Sequence, residues 1–326
     1  MTVSITVVGL GQVGTSIGLA LAQHKQTIVR WGTDREPTHA QKAQKLGGFD
    51  KIFYNLPEAV AQADVVILTL PVDEIRETLK LIVPELKEGA TIIDTSPVKL
   101  GVAAWAKEVL LPDRYFVSMT PTINPEYLLG QDQDAARADL FNNSVMVITS
   151  LPGTDASAMD LVSDLTVLLG AKPYFADPYE ADGLLAGSHI APRLVAAAMV
   201  RAVAGAPGWR EGKRVAGQAY AALTAPVVKG GEMKGFGEAA QLNRENVSRV
   251  LGEVMVALQE MRTCLDKGDR RSLMELLEET AKMNEDWWSE RQSGEWKEDI
   301  RKVETPTLSQ VLGRLIGARP KKKNGQ

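Results

Sequence analysis

A glycine-rich turn near the N-terminus constrains the fold of this chain more than any other stretch. The β-branched run at 4–8 leads into Gly9, Gly11 and Gly14 in the pattern G-x-G-x-x-G, and a helix-period apolar pattern begins directly afterwards. The first glycine allows a sharp turn, the second lets the backbone approach a diphosphate, and the third lets the helix pack against the strand. The stretch therefore predicts a strand, a tight turn and a helix whose N-terminal amides bind a dinucleotide.

Residues inside and beyond this turn add expectations about the cofactor. Gln12 and Val13 lie within the pattern, so they are predicted to take part in binding it. Asp34 ends a second predicted strand at the position where a carboxylate accepts hydrogen bonds from the adenosine ribose. Such an acid repels a 2′-phosphate, whereas the neighbouring Arg35 would bind that phosphate if Asp34 turned away. NAD is the predicted cofactor, and NADP remains possible.

Strand and helix patterns alternate along the chain up to about residue 176. This alternation is typical of an α/β fold with a Rossmann-type, doubly wound and mainly parallel sheet. The predicted strands are 3–8, 27–33, 50–53, 64–69, 90–94, 115–118, 145–149 and 172–175. The predicted helices of this part are 14–24, 37–46, 56–62, 72–83, 98–110 and 154–170.

Two further strand ends are predicted to face the cofactor, because ligands bind beyond the carboxyl ends of parallel strands. The apolar strand at 64–69 ends at Leu70 and Pro71, which are expected to face the dinucleotide. The next predicted strand leads into Thr95 and Ser96. Their hydroxyls are expected near the nicotinamide half of the cofactor.

From about residue 178 onward only helices are predicted, at 178–204, 210–223, 236–266, 269–291 and 305–316. The segment 236–266 repeats apolar residues at spacings that place them on one helical face. One long helix cannot bury such a face alone, so the pattern predicts a homodimer formed through this region. The predicted units are a dinucleotide-binding domain (1–176), a helical substrate and dimerisation domain (177–305), and a C-terminal helix with a basic tail (306–326).

Bulk composition excludes several classes of function. The 326 residues are 44% hydrophobic and carry a formal net charge of −4, which suits a protein with a large core and gives no reason to expect a nucleic-acid partner. The N-terminus enters a strand directly and no run of about eighteen apolar residues occurs, so a cytoplasmic protein without a membrane span is predicted. One cysteine and three scattered histidines predict no metal site.

Six stretches carry a resemblance to a known family: VGLGQVGTS (8–16), DVVILTLP (64–71), DTSPVK (94–99), SHI (188–190), GWREGKRVA (208–216) and NRENV (243–247). Through them the chain resembles prephenate and arogenate dehydrogenases of tyrosine biosynthesis, over about residues 3–290. The first two are shared with many dehydrogenases, whereas the last three are specific. The resemblance implies a dinucleotide-binding domain followed by a helical dimerisation domain. It also implies oxidation of a ring hydroxyl by hydride transfer to NAD or NADP, with loss of carbon dioxide and aromatisation.

The resemblance also implies roles for individual residues. His189 matches a family histidine that helps to bind substrate, and Arg214 matches the arginine that grips a substrate carboxylate, a role that suits its planar fork. Thr120 stands where the family has its catalytic histidine, and a threonine hydroxyl cannot take a proton as imidazole does. Pro97 stands where the family has a serine, and Ala181 where it has a further histidine.

The predicted function is an NAD(P)-dependent dehydrogenase of this type, acting on a small carboxylate. Arg214 is predicted to bind the carboxylate, and Ser96, Thr120 or His189 to contact the ring hydroxyl. An oxidoreductase for another small carboxylate is an alternative, although 3-hydroxyacid dehydrogenases use a lysine followed by asparagine that the segment 241–244 lacks. A catalytically silent dinucleotide-binding regulator is a further alternative.

Overall fold

A computed structural model of the chain describes residues 2–129, 135–227, 233–296 and 311. Apart from position 311, the predicted C-terminal helix and the basic tail lie outside the described residues. All eight predicted strands are confirmed. They are β1 (Val3–Val8), β2 (Ile28–Thr33), β3 (Lys51–Phe53), β4 (Val65–Leu68), β5 (Thr91–Asp94), β6 (Tyr115–Pro121), β7 (Ser144–Ser150) and β8 (Ala171–Phe175).

These strands form one sheet in the order β3-β2-β1-β4-β5-β6-β7-β8. Neighbouring strands run parallel except β6 and β7, which pair antiparallel. The chain winds outward from β1 in both directions, so the topological switch point lies between β1 and β4. The predicted α/β, Rossmann-type fold with a mainly parallel sheet is therefore confirmed.

Helices cover both faces of the sheet, which is why the central strands are apolar on both sides. The helices are α1 (Gln12–Ala20), α2 (Pro37–Lys45), α3 (Leu56–Val60), α4 (Val72–Ile82), α5 (Leu100–Val109) and α6 (Ala156–Leu168). Ile17, Leu21 and Leu165 pack on one face, and Ile75, Leu79 and Val102 pack on the other. Burial of these side chains supplies the main free energy of folding for this part of the chain.

A helical part follows β8. Its helices are α7 (Pro178–Leu185), α8 (Ala191–Ala204), α9 (Trp209–Val215), α10 (Gln218–Thr224), α11 (Met233–Leu242), α12 (Arg244–Lys267) and α13 (Arg270–Ser293). The prediction of one helix over 210–223 is wrong, because the backbone is extended at Gly217 (φ −106°, ψ −159°) and separates α9 from α10.

The prediction of one helix over 236–266 is also wrong. Asn243 interrupts it, with φ −111° and ψ 31°. The side chain of Asn243 is buried, donates to the backbone carbonyl of Asp182 at 2.7 Å and accepts from Asn246 at 2.9 Å. A tertiary hydrogen bond therefore sets the boundary between α11 and α12, although the apolar repeat continues across it.

The predicted helix 178–204 contains one wide turn. A π-helical turn, Ala186–Ile190, joins α7 to α8 and contains His189. Pro192, the second residue of α8, has no amide hydrogen, so an α-helical bond is missing at this point. The whole stretch, Pro178–Ala204, spans 27 residues, and an 18-residue window within it has a mean hydropathy of 1.4. Length and composition alone would let it cross a membrane, a criterion that packing helices of folded domains also meet.

Helices α12 and α13 form a long antiparallel hairpin. Gly268 ends α12 with a left-handed φ of +65°. Several large apolar side chains on these two helices are exposed in the single chain: Met255, Val256, Leu258, Leu265, Met274, Leu277, Met283 and Trp287. The far end of α13 returns to the sheet, where buried Arg291 donates to the carbonyls of Asn143 and Ile123.

Candidate active site

The glycine turn between β1 and α1 has the geometry that the sequence predicts. Gly9 has a left-handed φ of +93°, and a Cβ atom there would lie 2.5 Å from the carbonyl oxygen of Thr69. A Cβ atom on Gly14 would lie 2.0 Å from the carbonyl oxygen of Gly9, so neither position accepts a side chain. Nothing lies within 4 Å of the corresponding point at Gly11, which leaves its backbone open to a ligand.

The N-terminus of α1 adjoins this open side. No side chain caps the helix at Gly11, and its first turn carries no acidic residue. The amides and the positive end of the helix dipole therefore favour an anion there. Val13 is partly buried against the core, and the Gln12 amide donates to the carbonyl of Ala135 at 3.3 Å. This arrangement fits a dinucleotide diphosphate.

Asp34 follows β2 and lies beside the glycine turn. One carboxylate oxygen accepts from the backbone amide of Leu10, and the other accepts from that of Glu36 at 2.7 Å. Arg35 turns away from Asp34: it pairs with Glu74 at 3.0 Å and lies 3.7 Å from the carboxylate of Glu36. The carboxylate of Asp34 is therefore fixed by two backbone amides, and the guanidinium of Arg35 interacts with the carboxylates of Glu74 and Glu36.

The ends of β4 and β5 complete this edge of the sheet. Leu70 contacts the position that a Gly9 side chain would occupy, and Pro71 precedes α4. The Thr95 hydroxyl donates to the carbonyl of Leu68 at 2.9 Å and ties the two strand ends together. Gly235 of α11 packs so closely on Pro71 that a Cβ atom there would lie 2.7 Å from its ring. The helical part thus packs directly against the carboxyl ends of the strands beside the glycine turn, which we call the cofactor edge.

A set of buried polar residues, which we call the lysine cluster, lies at the carboxyl ends of β5 and β6. It consists of Asp94, Ser96, Lys99, Ser118 and Thr120. The Lys99 ammonium donates to the Ser96 carbonyl at 2.6 Å and lies 3.9 Å from the Asp94 carboxylate. Asp94 accepts from the amide and the hydroxyl of Ser96 at 3.0 and 2.8 Å. The Thr120 hydroxyl also donates to the Ser96 carbonyl.

Burial dominates the electrostatics of this cluster. It raises the pKa of Asp94, although the nearby Lys99 and the hydrogen bonds of Ser96 oppose the rise. Burial lowers the pKa of Lys99, and Asp94 and Asp182 oppose that shift. Each charge is therefore tolerated in the interior because the other is present.

Asp182 connects the lysine cluster to the helical part. Its carboxylate accepts from the backbone amides of Lys99 at 2.6 Å and Leu100 at 3.1 Å, which caps the start of α5. Burial raises the pKa of Asp182, and these two hydrogen bonds oppose the rise. Lys99 and Asp182 were not among the predicted site residues. The available signal was a lysine and an aspartate within small and apolar surroundings.

His189 lies half-buried against the same edge. Its turn packs there, because Ile190 belongs to the buried cluster that contains Val72 and Val98, which follow β4 and β5. The Ser188 hydroxyl donates to the Leu184 carbonyl at 2.8 Å and lies 2.9 Å from Nδ1 of His189. With its single proton used, this hydroxyl accepts from Nδ1, so Nε2 is assigned the lone pair.

The pKa of His189 is lowered to about 4, first by burial and then by the positive charges of Lys99 and Arg193. Its imidazole is therefore neutral at pH 7. A neutral imidazole with a lone pair on Nε2 can accept a proton from a bound hydroxyl. Thr120 and Ser96 differ in this respect, because both are buried and their hydroxyls already donate to protein oxygens.

Most of the predicted site residues lie close together in the structure, but Arg214 is not joined to them by a described contact. Those after β1, β2, β4 and β5, together with Thr120 and His189, lie along one edge of the sheet. Arg214 is exposed on α9, and no hydrogen bond or ion pair within the described ranges joins it to His189 or the lysine cluster. Its role in carboxylate binding stays a prediction.

Comparison with known proteins shows which dehydrogenases the chain is similar to. A family model described as the nucleotide-binding domain of prephenate dehydrogenase matches residues 17–175. Cyclohexadienyl dehydrogenase of Zymomonas mobilis is 24% identical over 281 residues, which cover 85% of this chain and 94% of that protein. Prephenate dehydrogenase of Bacillus subtilis is 29% identical over 204 residues, 60% of this chain and 53% of that protein.

Solved structures agree with this match at the level of the fold. Prephenate dehydrogenase from A. aeolicus, in complex with hydroxyphenyl propionate and NAD+, is 21% identical with a TM-score of 0.74, covering 87% of this chain and 98% of that one. Synechocystis arogenate dehydrogenase is 23% identical with a TM-score of 0.65, covering 87% of this chain and 99% of that one. Residues 17–175 therefore match the nucleotide-binding domain of prephenate dehydrogenase, and most of the chain shares the fold of prephenate and arogenate dehydrogenases.

Proposed function

We propose that this protein is an NAD-dependent dehydrogenase of prephenate or arogenate that acts in tyrosine biosynthesis in the cytoplasm. The observation that carries the proposal is His189, a neutral imidazole held beside the strand ends that follow the glycine turn. We assign residues 1–176 to cofactor binding, and residues 177–305 to substrate binding and dimerisation.

The residues of the first part fit NAD. When bound, NAD supplies a nicotinamide ring that accepts a hydride from the substrate. The first-turn amides of α1 hold the diphosphate, and Asp34 accepts hydrogen bonds from the adenosine ribose. Arg35 pairs with Glu74 and Glu36, so it is not available to a 2′-phosphate. These contacts support NAD over NADP.

His189 has the central chemical role in this proposal. The ring carbon that bears the hydroxyl loses its hydrogen as hydride, and the carbon–carboxylate bond breaks so that its electron pair enters the ring. Nε2 of His189 accepts the hydroxyl proton as the carbon–oxygen bond gains double-bond character, and returns it to the phenolate oxygen at the end. Ser96 and Thr120 fix the loop 94–99 on which the substrate rests.

An assay with both substrates tests the proposal. We expect the purified protein to form NADH, followed by its absorbance, with prephenate, arogenate or both. We expect NADP to be reduced at least about tenfold more slowly, because Asp34 repels its 2′-phosphate. No turnover with either substrate would refute this function. Tight NADH binding without turnover across a panel of carboxylates would instead indicate the silent regulator.

We also propose a homodimer formed through the helical hairpin. Met255, Leu258 and Leu265 of α12 are 65%, 57% and 65% exposed in the single chain, an unusual exposure for large apolar side chains. A second copy, related by a two-fold axis, would bury the same face on both partners.

Sedimentation velocity checks this dimer. The wild-type protein is expected to sediment at twice the mass of the chain, and a double substitution, Met255→Glu with Leu258→Glu, is expected to yield monomers. Tyr54, which is 70% exposed on the first part of the chain, provides the control Tyr54→Glu, which should remain dimeric. A wild-type monomer at micromolar concentration would contradict the proposal.

A further inference from the structure

We propose that Glu74, on helix α4, is a specificity-determining residue for the cofactor, because it holds Arg35 away from the adenosine ribose. Without Glu74, Arg35 would bind the 2′-phosphate of NADP. The inference rests on the cofactor part of the proposed function and adds a residue to it. Asp34 is the expected source of discrimination, since its carboxylate repels a 2′-phosphate. Arg35 is the next residue in the chain and carries the fork of donors that suits a phosphate.

The ion pair between Arg35 and Glu74 joins the two sides of the cofactor edge. Strand β1 pairs with β2 on one side and with β4 on the other, so the segments that follow β2 and β4 flank the glycine turn. Arg35 lies just after β2, and Glu74 lies in the first turn of α4, which follows β4. Nη1 of Arg35 and Oε1 of Glu74 are 3.0 Å apart. The guanidinium is therefore directed towards α4.

Glu74 is the fixed member of this pair. Val72, Ile75 and Leu79 of the same helix are buried, which anchors α4 against the sheet. A negative charge in the first turn of a helix is also favoured by the helix dipole. The side chain of Arg35 is 72% exposed, whereas that of Glu74 is 30% exposed. The position of Glu74 therefore determines where the guanidinium of Arg35 lies.

The charges around Arg35 explain why NADP is disfavoured while this pair is intact. Oε1 of Glu36 lies 3.7 Å from Nε of Arg35, and two backbone amides fix the carboxylate of Asp34. Nδ1 of His39 lies 3.6 Å from Oδ2 of Asp34 and adds positive charge when the imidazole is protonated. With Glu74, this part of the cofactor edge carries three carboxylates and one guanidinium. A 2′-phosphate, with nearly two negative charges, is repelled there.

Releasing Arg35 exchanges a weak contact within the chain for a stronger one with the ligand. An ion pair as exposed as that of Arg35 with Glu74 contributes little to folding, so its loss leaves the fold intact. The contact between a guanidinium and a phosphate is charge-assisted and is made through two parallel donors. NAD has no 2′-phosphate and gains nothing from the released side chain. The loss of Glu74 is therefore expected to change cofactor choice and not stability.

Binding of NAD and NADP, which differ only in the 2′-phosphate, tests the proposal without turnover. Each is titrated calorimetrically into the full-length protein. Glu74→Gln keeps the size of the side chain and removes its charge. This variant is expected to lower the Kd of NADP about tenfold, and to leave the Kd of NAD within about twofold of the wild-type value. An unchanged Kd of NADP would overturn the proposal.

Arg35→Gln shows whether Glu74 acts through Arg35 or by direct repulsion of the phosphate. In the Arg35→Gln background, Glu74→Gln is expected to lower the Kd of NADP by no more than about twofold, since no guanidinium is left to release. A tenfold gain in that background as well would contradict the proposal, because Glu74 would then act by repulsion alone.

Glu77→Gln is the matched control, with the same change of charge on the same helix. Glu77 is exposed and pairs with Lys80 at 2.6 Å, so this variant should bind NAD and NADP as the wild type does. A tenfold gain for NADP in Glu77→Gln would show a general effect of charge on α4 and would also overturn the proposal. A wild-type protein that binds neither dinucleotide refutes the cofactor part of the proposed function. A wild type selective for NAD, with an unaffected Glu74→Gln variant, refutes this inference alone.

Discussion

Replacing His189 by asparagine is expected to lower kcat by about 10²–10⁴-fold, the contribution of a positioned general base. Asparagine can still hydrogen-bond to the substrate hydroxyl, but it cannot take the proton as hydride leaves. NAD binds through the glycine turn and Asp34, so its Kd should stay within about threefold of the wild-type value. Steady-state kinetics with a separate titration of NAD distinguish these two effects.

The pH profile of the wild-type protein provides a second check on His189. Its pKa is lowered to about 4, so kcat/KM is expected to stay level from neutral pH down to about 5 and to fall near pH 4. Between pH 6.5 and 4 the unfolded chain binds a proton at this residue that the native protein does not. The free energy of unfolding should therefore decrease as the pH is lowered from 6.5 to 4. In His189→Asn this part of the pH dependence should be absent.

Thr120→Val supplies the matched control. The Thr120 hydroxyl donates to the Ser96 carbonyl in the interior, so its loss should cost about 1 kcal/mol of stability and change kcat by less than about tenfold. The opposite pattern, with a large loss in Thr120→Val and little in His189→Asn, would show that the reaction depends on the hydroxyl of Thr120 and not on the imidazole of His189.

The sheet could be predicted from the sequence because its strands are local, apolar and separated by recognisable turns. The run 64–69 is an example: Val65–Leu68 is buried on both faces, so nearly every residue is apolar and β-branched or leucine. The direction of β7 could not be predicted in the same way. It runs antiparallel to β6, and no residue of β7 encodes that reversal.

The predicted helix boundaries were wrong where a tertiary contact determines the structure. Asn243 interrupts a sequence whose apolar repeat continues on both sides, and it does so by bonding to the backbone of Asp182. The turn that contains His189 is wider than an α-helix for a partly local reason, the proline at 192. The spacing of apolar residues shows which face of a helix is apolar. It does not show where a contact to a residue distant in sequence interrupts the helix.

The same distinction separates the predicted from the missed parts of the site. The glycine turn was found because its three glycines lie within six residues of one another, and Asp34 because it directly follows the next predicted strand. Lys99 and Asp182 were missed because the contact between them joins residues 83 positions apart. Arg214 was selected by similarity alone, and its role in carboxylate binding stays a prediction.

A Lys99→Met variant is expected to lower the free energy of unfolding by about 3–5 kcal/mol, the cost of breaking a buried ion pair on one side. Methionine fills a similar volume, so the loss is electrostatic rather than a cavity. The Asp94 carboxylate, fully buried, would lose its nearby cation, and the Ser96 carbonyl would lose a donor. Urea unfolding measured at pH 7 gives the difference directly.

Comparison with a second ion pair shows whether burial is the cause. Lys87 pairs with Asp64 at 2.7 Å, but these side chains are 32% and 29% exposed, so Lys87→Met should cost less than about 1 kcal/mol. Asp94→Asn in the Lys99→Met background should restore part of the loss, because no unpaired charge remains. Without Lys99, the pKa of Asp94 stays raised, so the loss should shrink as pH falls through that pKa and the carboxyl is protonated. An equal loss in free energy of unfolding for Lys99→Met and Lys87→Met would contradict this prediction. It would show that the Asp94 carboxylate is stabilised without Lys99, and that Lys99 does not hold the loop 94–99 in place.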